Sequence, residues 1–258
     1  MKKLMTLISV LALTAGTAMA EDIKVGVSPG EHAEIMEEVA KVAKPMGLDI
    51  KVIEFSDYVV PNQALADGDI EANSFQHKPY LDNQIKDRGF KLVPVGTTIT
   101  TPMGLYSNKV KSPAELKDGD TVGIPNDPTN GGRALLVLQD FGLIKLADGT
   151  GLTPTVLDVT ENPKNLKFQE LDAAQLPRSL ADLDAAMINT NYAIAAGLNP
   201  KTDTIAMEKA DNPYVNIIVV REGDETAPWV KTLVSAYHSD EVKKFIEDKY
   251  HGTVLTSW

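Results

Sequence analysis

A chain of 258 residues with 36 acidic against 25 basic side chains, a formal charge of −11 and no cysteine excludes several classes of protein at once. An acidic chain without a basic stripe is a poor partner for nucleic acid or an anionic membrane surface. The missing cysteine removes disulfides, thiolate metal sites, thiol nucleophiles and lipid attachment through an N-terminal cysteine.

The first 20 residues read as a targeting segment. Lys2 and Lys3 form a basic start, residues 4–13 an apolar stretch too short for a membrane span of about 20 residues, and Ala18-Met19-Ala20 a small-x-small cleavage site. The expected mature chain starts at Glu21. From there strands and helices alternate. Residues 23–27 have a strand pattern, Pro29 and Gly30 break it, and 31–44 carry Ile35, Met36, Val39 and Ala43 at helical spacing. Residues 48–55, 70–75 and 90–97 follow as strands, with helices at 59–66 and 79–86 between them. A second series opens after Thr101-Pro102. Its strands are 103–107, 121–124, 155–159, 168–171 and 185–188, with a short turn at 112–116, an apolar helix at 133–141 and a helix near 177–183. Residues 215–220 form an apolar strand, and two helices, 228–237 and 240–250, end the chain.

This alternation predicts an α/β protein with mainly parallel sheets. No Gly/Ser or Pro-rich linker divides it. Two lobes joined by short crossings near 97–102 and 211–215 fit better, residues 21–99 with 212–258 forming one lobe and 100–211 the other. Ligands of open α/β sheets bind beyond the carboxyl ends of the strands, so the expected site is the cleft between the lobes.

Gly26-Val27-Ser28-Pro29-Gly30 matches the G-x-S-x-G pattern of hydrolases between a strand and a helix. The residue after Ser28 is proline, which has no N–H for an oxyanion hole. Ser28 is therefore expected to cap the following helix or face the cleft, with a secreted serine hydrolase as the remote alternative. The four histidines, His32, His77, His238 and His251, have no metal-ligand spacing, and Walker and dinucleotide-binding patterns are absent. No cofactor, no metal and no enzymatic activity are expected.

Residues 125–133, Pro-Asn-Asp-Pro-Thr-Asn-Gly-Gly-Arg, crowd polar and glycine residues between a strand and an apolar helix. Thr129 or Asn130 is the expected cap of that helix. Arg133 in its first turn opposes the dipole, so it calls for an anion: a ligand carboxylate held by the bidentate fork, a neighbouring acid, or water alone. Phe75, His77 and Tyr80 open a helix at another strand end and suit either a pocket wall or the core. Asn189, Asn191 and Asn216 would bond a ligand's ammonium or carboxylate, or local backbone.

The runs 55–58 (Phe-Ser-Asp-Tyr), 61–65 (Pro-Asn-Gln-Ala-Leu), 75–81 (Phe-Gln-His-Lys-Pro-Tyr-Leu), 124–130, 175–180 and 213–216 resemble, in order along the mature chain, the MetQ/NlpA family of methionine-binding proteins of ABC importers. The resemblance implies a type II periplasmic-binding fold closing on a free amino acid, methionine, or by alternative another amino acid or a short methionine peptide. It implies a ligand shell of Tyr58, Phe75, His77, Tyr80, Asn130, Arg133, Asn189 and Asn216, with Asn191 replacing Asn189 if the alignment slips by two. Arg133 and the helix N-terminus would hold the carboxylate, asparagine oxygens the ammonium and aromatic walls the thioether. The implied partners are an ABC permease and its ATPase as separate chains. Many members carry a cysteine directly after the signal, where this sequence has Glu21. The expectation is therefore a freely diffusing, non-lipidated periplasmic protein with no direct membrane anchor.

Overall fold

A computed structural model describes residues 21–258; the expected targeting segment, 1–20, lies outside the described residues. The chain begins with β1 (Glu21–Val27), α1 (Glu31–Ala43), β2 (Leu48–Glu54), α2 (Val60–Asp67), β3 (Ala72–His77), α3 (Lys78–Arg88) and β4 (Leu92–Thr97). A two-residue strand, β5 (Ile99–Thr100), lies on the way to β6 (Gly104–Tyr106), β7 (Thr121–Pro125), α4 (Pro128–Asp140), β8 (Lys145–Leu146), β9 (Val159–Glu161), β10 (Lys167–Leu171), α5 (Leu176–Ser179), β11 (Ala185–Ile188), α6 (Thr190–Ala195) and β12 (Thr204–Met207). The chain then returns through β13 (Asn216–Arg221), α7 (Pro228–Tyr237), α8 (Asp240–Tyr250) and β14 (Leu255–Thr256).

Two five-stranded sheets result, ordered β2-β1-β3-β13-β4 and β10-β7-β11-β6-β12. In each sheet four strands run in one direction, in keeping with the mainly parallel sheets that the alternating pattern predicts, and one reversed strand lies next to the edge: β13 between β3 and β4, β6 between β11 and β12. The chain leaves the first sheet after Thr97, enters the second at Gly104 and returns between Met207 and Asn216.

The apolar patterning explains what each layer buries. In β1, Ile23, Val25 and Val27 point inward while Lys24 stays exposed. Along α1, Ile35, Met36, Val39 and Ala43 form one buried stripe that packs with Leu233, Ala236 and Tyr237 of α7 and Val242 and Ile246 of α8. In the second lobe Ala134, Leu135, Val137 and Leu138 of α4 pack with Val122, Ile124, Ala185 and Met187 of β7 and β11.

Several local expectations are corrected. The apolar helix starts at Pro128, not at 133, and its cap is Asp127, whose carboxylate accepts from the N–H groups of Thr129 and Asn130. Proline's fixed φ suits the first helical position, and the glycine pair that reads as loop is needed inside the helix. A Cβ on Gly131 would lie 2.7 Å from the Pro125 carbonyl oxygen, and one on Gly132 2.8 Å from that of Leu152. Arg133 therefore sits in the second turn. Residues 155–158 form a capped turn instead of a strand, with Thr155 and Asp158 making a capping box, and β9 begins only at Val159. Ser28 does not cap α1, which has Gly30 at its N-cap and no side-chain cap bond.

At Gly30 the backbone of the first lobe comes close to that of the second at Asn191. Gly30 has φ 87° and ψ −141°, a conformation open essentially only to glycine, and a Cβ there would stand 2.4 Å from the Asn191 carbonyl oxygen. Gly47 has a similar φ of +86° but nothing within 4 Å. Gly30→Ala is expected to cost at least about 2 kcal/mol, against about 1 kcal/mol for Gly47→Ala. Urea unfolding of the two variants checks the difference, and equal losses would mean that the approach to Asn191 is not tight.

Candidate functional site

The carboxyl ends of β3, β7 and β11 point into a common, tightly closed cavity between the lobes. All eight residues singled out from the sequence line it: Tyr58, Phe75, His77, Tyr80, Asn130, Arg133, Asn189 and Asn216. Asn191 lines it too, together with His32, Gln76 and Thr101, which the sequence reading did not single out as site residues. All but Tyr58 of the eight are buried.

The first lobe supplies the aromatic side. Tyr58 lies 6.0 Å from Phe75 and 6.1 Å from Tyr80 between ring centroids, and Phe75 lies 6.1 Å from Tyr80, spacings typical of tilted and edge-to-face rings. The Tyr80 hydroxyl donates to the Tyr58 carbonyl at 2.8 Å. Behind this wall Asn62, Asn73 and Gln76 bond one another through four buried amide contacts of 2.6 to 3.0 Å. The asparagine and glutamine of the 61–65 and 75–81 runs are thus bound into one rigid support for the end of β3.

His77 caps α3, its Nδ1 accepting from the Tyr80 N–H at 3.1 Å, and its Nε2 meets Asn130 Oδ1 at 3.1 Å. Because Nδ1 accepts, the proton belongs to Nε2, which donates to Asn130. Burial, and then the nearby Arg133 charge, push the His77 pKa down to about 3, so the ring is neutral. Asn130 Oδ1 also accepts from Asn189 Nδ2 at 2.9 Å, while Asn130 Nδ2 donates to Asp127. The Asn130 oxygen is therefore saturated by protein groups. Other acceptors remain: Asn189 Oδ1 is buried without a partner, and Asn216 donates Nδ2 to the Ile99 carbonyl at 3.1 Å while its Oδ1 has no hydrogen-bond partner among the described residues.

Arg133 differs most from the sequence expectation. Its fork is taken up by Glu208: Nε lies 3.1 Å from both carboxylate oxygens, and Nη2 bonds Oε2 and, at 2.9 Å, the Thr101 carbonyl. The Tyr214 ring lies under the guanidinium, 4.3 Å from Cζ to the centroid. Among the described residues only Nη1 has no hydrogen-bond partner. A bidentate grip on a ligand carboxylate is thus not what this geometry offers; one guanidinium nitrogen is. Nothing near Arg133 in the sequence announces Glu208, 75 residues away.

Two neutral contacts close the cleft over the site. The Tyr58 hydroxyl donates to Asn191 Oδ1, and the Tyr192 hydroxyl to the Ser56 carbonyl at 3.3 Å. Asn191 therefore bridges the lobes through its oxygen, and its Nδ2 is buried without a partner. Ser28 Oγ is fully buried and makes no hydrogen bond, so no base activates it. Among the described residues no group of three or more His, Cys, Asp or Glu side chains is arranged for a metal ion, and no helix is long and apolar enough to cross a membrane.

The comparisons with known proteins bear on this cleft. The model of the NlpA lipoprotein family matches residues 23–258. The chain belongs to the NlpA lipoprotein family. It is 56% identical over 239 residues, 92% of this chain and 88% of the relative, to the D-methionine-binding lipoprotein MetQ of Salmonella typhimurium. Among solved structures it is similar to a nutrient-binding protein from Burkholderia cenocepacia bound to methionine, with 55% identity, a TM-score of 0.89 and coverage of 92% and 100% of the two chains. A crystal structure of the methionine-binding protein MetQ gives 55% identity and a TM-score of 0.90, over 92% and 98%. With its two sheets and intervening cleft, the fold is of the type II periplasmic-binding class.

These names correct the expectation of localisation. A freely diffusing, non-lipidated protein without an anchor was expected because cysteine is missing, yet the family and the relatives it matches are named lipoproteins. The missing thiol bears on one attachment chemistry and does not by itself establish an untethered protein.

Glu31 lies beside the cleft at the start of α1, wholly buried, with neither carboxylate oxygen hydrogen-bonded. Burial raises its pKa to about 8. A group whose folded pKa is raised contributes stability below its unfolded pKa of 4.5 and loses it as pH rises towards the folded value. Glu31→Gln removes that dependence. Its melting temperature is expected to rise relative to the parent between pH 5 and pH 8, by the equivalent of a few kcal/mol at most. A difference that does not change with pH would show Glu31 ionised in the fold.

Proposed function

We propose that this chain captures free methionine in the cleft and delivers it to an ABC importer whose permease and ATPase are separate chains. What supports the cargo is the 55% identity, over 92% of this chain and all of the other, to a protein solved with methionine bound. The site's geometry supports the same reading. In it Arg133 Nη1 holds the α-carboxylate, Asn189 Oδ1 and Asn216 Oδ1 receive the ammonium, and Tyr58, Phe75 and Tyr80 surround the thioether, whose sulfur gains about 0.3 to 1.5 kcal/mol from ring contacts. His77 and Asn130 fix these groups in place. The ligand-binding set is thus Tyr58, Phe75, His77, Tyr80, Asn130, Arg133, Asn189 and Asn216, and the chain acts by binding and release, not by catalysis. The lobes that close on the ligand are residues 21–99 with 212–258, and 100–211.

Calorimetric titration with L-methionine, D-methionine and other amino acids, after unfolding and refolding to strip any carried ligand, tests the cargo. Selective methionine uptake is expected. A response confined to another amino acid would keep the fold and discard methionine. In the same assay Arg133→Ala should lose about ten- to a hundredfold in affinity and Asn216→Ala about two- to tenfold, the scale of one charged and one neutral buried hydrogen bond. Tyr58→Phe keeps the ring and removes the hydroxyl that reaches Asn191, so it should cost only about three- to tenfold. A loss as large as that of Arg133→Ala would make this hydroxyl a ligand contact.

A further inference from the structure

Among the residues that line the cavity, the ionisable side chains besides the tyrosines are Arg133, His32 and His77. Both histidines are held neutral by burial, His32 with its pKa lowered to about 4 and His77 to about 3. Arg133 is the remaining charge, and Glu208 faces it from behind, away from the cavity, with its side chain 8% exposed against 3% for Arg133. Glu208 is itself fixed: its Oε2 accepts from the Met103 N–H at 2.9 Å, and its own backbone N–H donates to the Met103 carbonyl at 2.9 Å. The carboxylate thus meets two of the three guanidinium nitrogens from a rigid backbone position and leaves Nη1 over.

We propose that Glu208 sets the charge selectivity of the site: by compensating Arg133 it makes the cavity electroneutral, so that a zwitterion fits and a ligand with an unbalanced carboxylate does not. Glu208 is a positioning residue for Arg133 and does not touch the ligand. The inference rests on the reading of the cleft as an amino-acid site and adds a rule about which ligands of that size it refuses. In a site containing Arg133 alone, any carboxylate of the right shape would gain from the net positive charge. With the charge compensated, the carboxylate gains a hydrogen bond from Nη1 but no net attraction, and the ammonium is equally unopposed as it approaches the oxygens of Asn189 and Asn216.

The test compares L-methionine with 2-hydroxy-4-(methylthio)butanoate, which has the same skeleton, thioether and carboxylate but a hydroxyl in place of the ammonium, and so carries one net negative charge. Affinities of both are measured by calorimetry for the parent chain, Glu208→Gln and Glu208→Asp. The parent is expected to prefer methionine at least about a hundredfold, since its amide oxygens are left unpaired by the hydroxy acid's poorer donor. Glu208→Gln keeps an acceptor and loses the charge, and the preference should shrink at least about tenfold. Glu208→Asp keeps the charge and should retain the preference within about threefold, even if both ligands bind more weakly. A ratio of affinities is insensitive to a loss of folded protein, and Glu208→Asp decides alone if Glu208→Gln does not fold. If Glu208→Gln weakens both ligands by the same factor, or Glu208→Asp loses the preference, Glu208 is only a structural support and the charge rule is overturned. If the parent binds no methionine, the reading of the cleft fails and the charge rule with it.

Discussion

The Arg133 guanidinium is taken almost wholly out of water, and its surroundings have to supply the opposite charge and the hydrogen-bond acceptors that water would have given. An uncompensated buried charge costs several kcal/mol, so the segments that answer Arg133 are not free to wander. Thr101 and Met103 belong to the passage out to the second sheet; Glu208 and Tyr214 belong to the passage back. One side chain of α4 therefore fastens both passages between the lobes at the point where the strand ends converge. The position of the cleft and the direction of its one cationic donor follow from the same set of contacts.

The sequence made the frame of this arrangement readable because the frame is local. The strand Ala185–Ile188 and the helices Pro228–Tyr237 and Asp240–Tyr250 have their apolar positions and stop signals within their own residues. So does the meeting of Phe75, Tyr80, Asn130 and Asn189, since each stands at the carboxyl end of a strand or in the first turn after one; Asn216 joins them from the amino end of β13, which runs antiparallel beside the end of β3. What a short window could not hold was partnership over distance. The Arg133–Glu208 pair, the Tyr58–Asn191 contact and the buried amides of Asn62, Asn73 and Gln76 each join residues far apart in the chain or from different elements. The glycines at 131 and 132 misled for a related reason: they favour loops in isolation, and only the neighbouring Pro125 and Leu152 carbonyls show why a helix needs them. α6 was missed because a helix of six residues is less than two turns and gives no periodic signal.

The division of labour between charged and neutral groups bears on how the cleft opens and shuts. The hydrogen bonds that span the lobes within the site join neutral groups, Tyr58 to Asn191, Tyr192 to Ser56, and His77 to Asn130, and the Arg133 guanidinium crosses only as a face contact on the Tyr214 ring. Each of these bonds is worth about 0.5 to 1.5 kcal/mol when exchanged for water, so parting the lobes breaks a few small terms. The expensive interaction, Arg133 with Glu208, joins α4 to the segment directly after β12 and lies on the second lobe's side of the cleft. Opening leaves it intact. If that ion pair instead bridged the two lobes, each opening would expose or strand two buried charges, and release of a ligand would be slow. A binding protein that must let go of its cargo is better served by a cleft closed with hydroxyls and amides, with its charge pair kept on one side. That placement also explains why His77 has to be neutral: a charged ring here would sit against Arg133 and would turn one of the cheap contacts into a costly one.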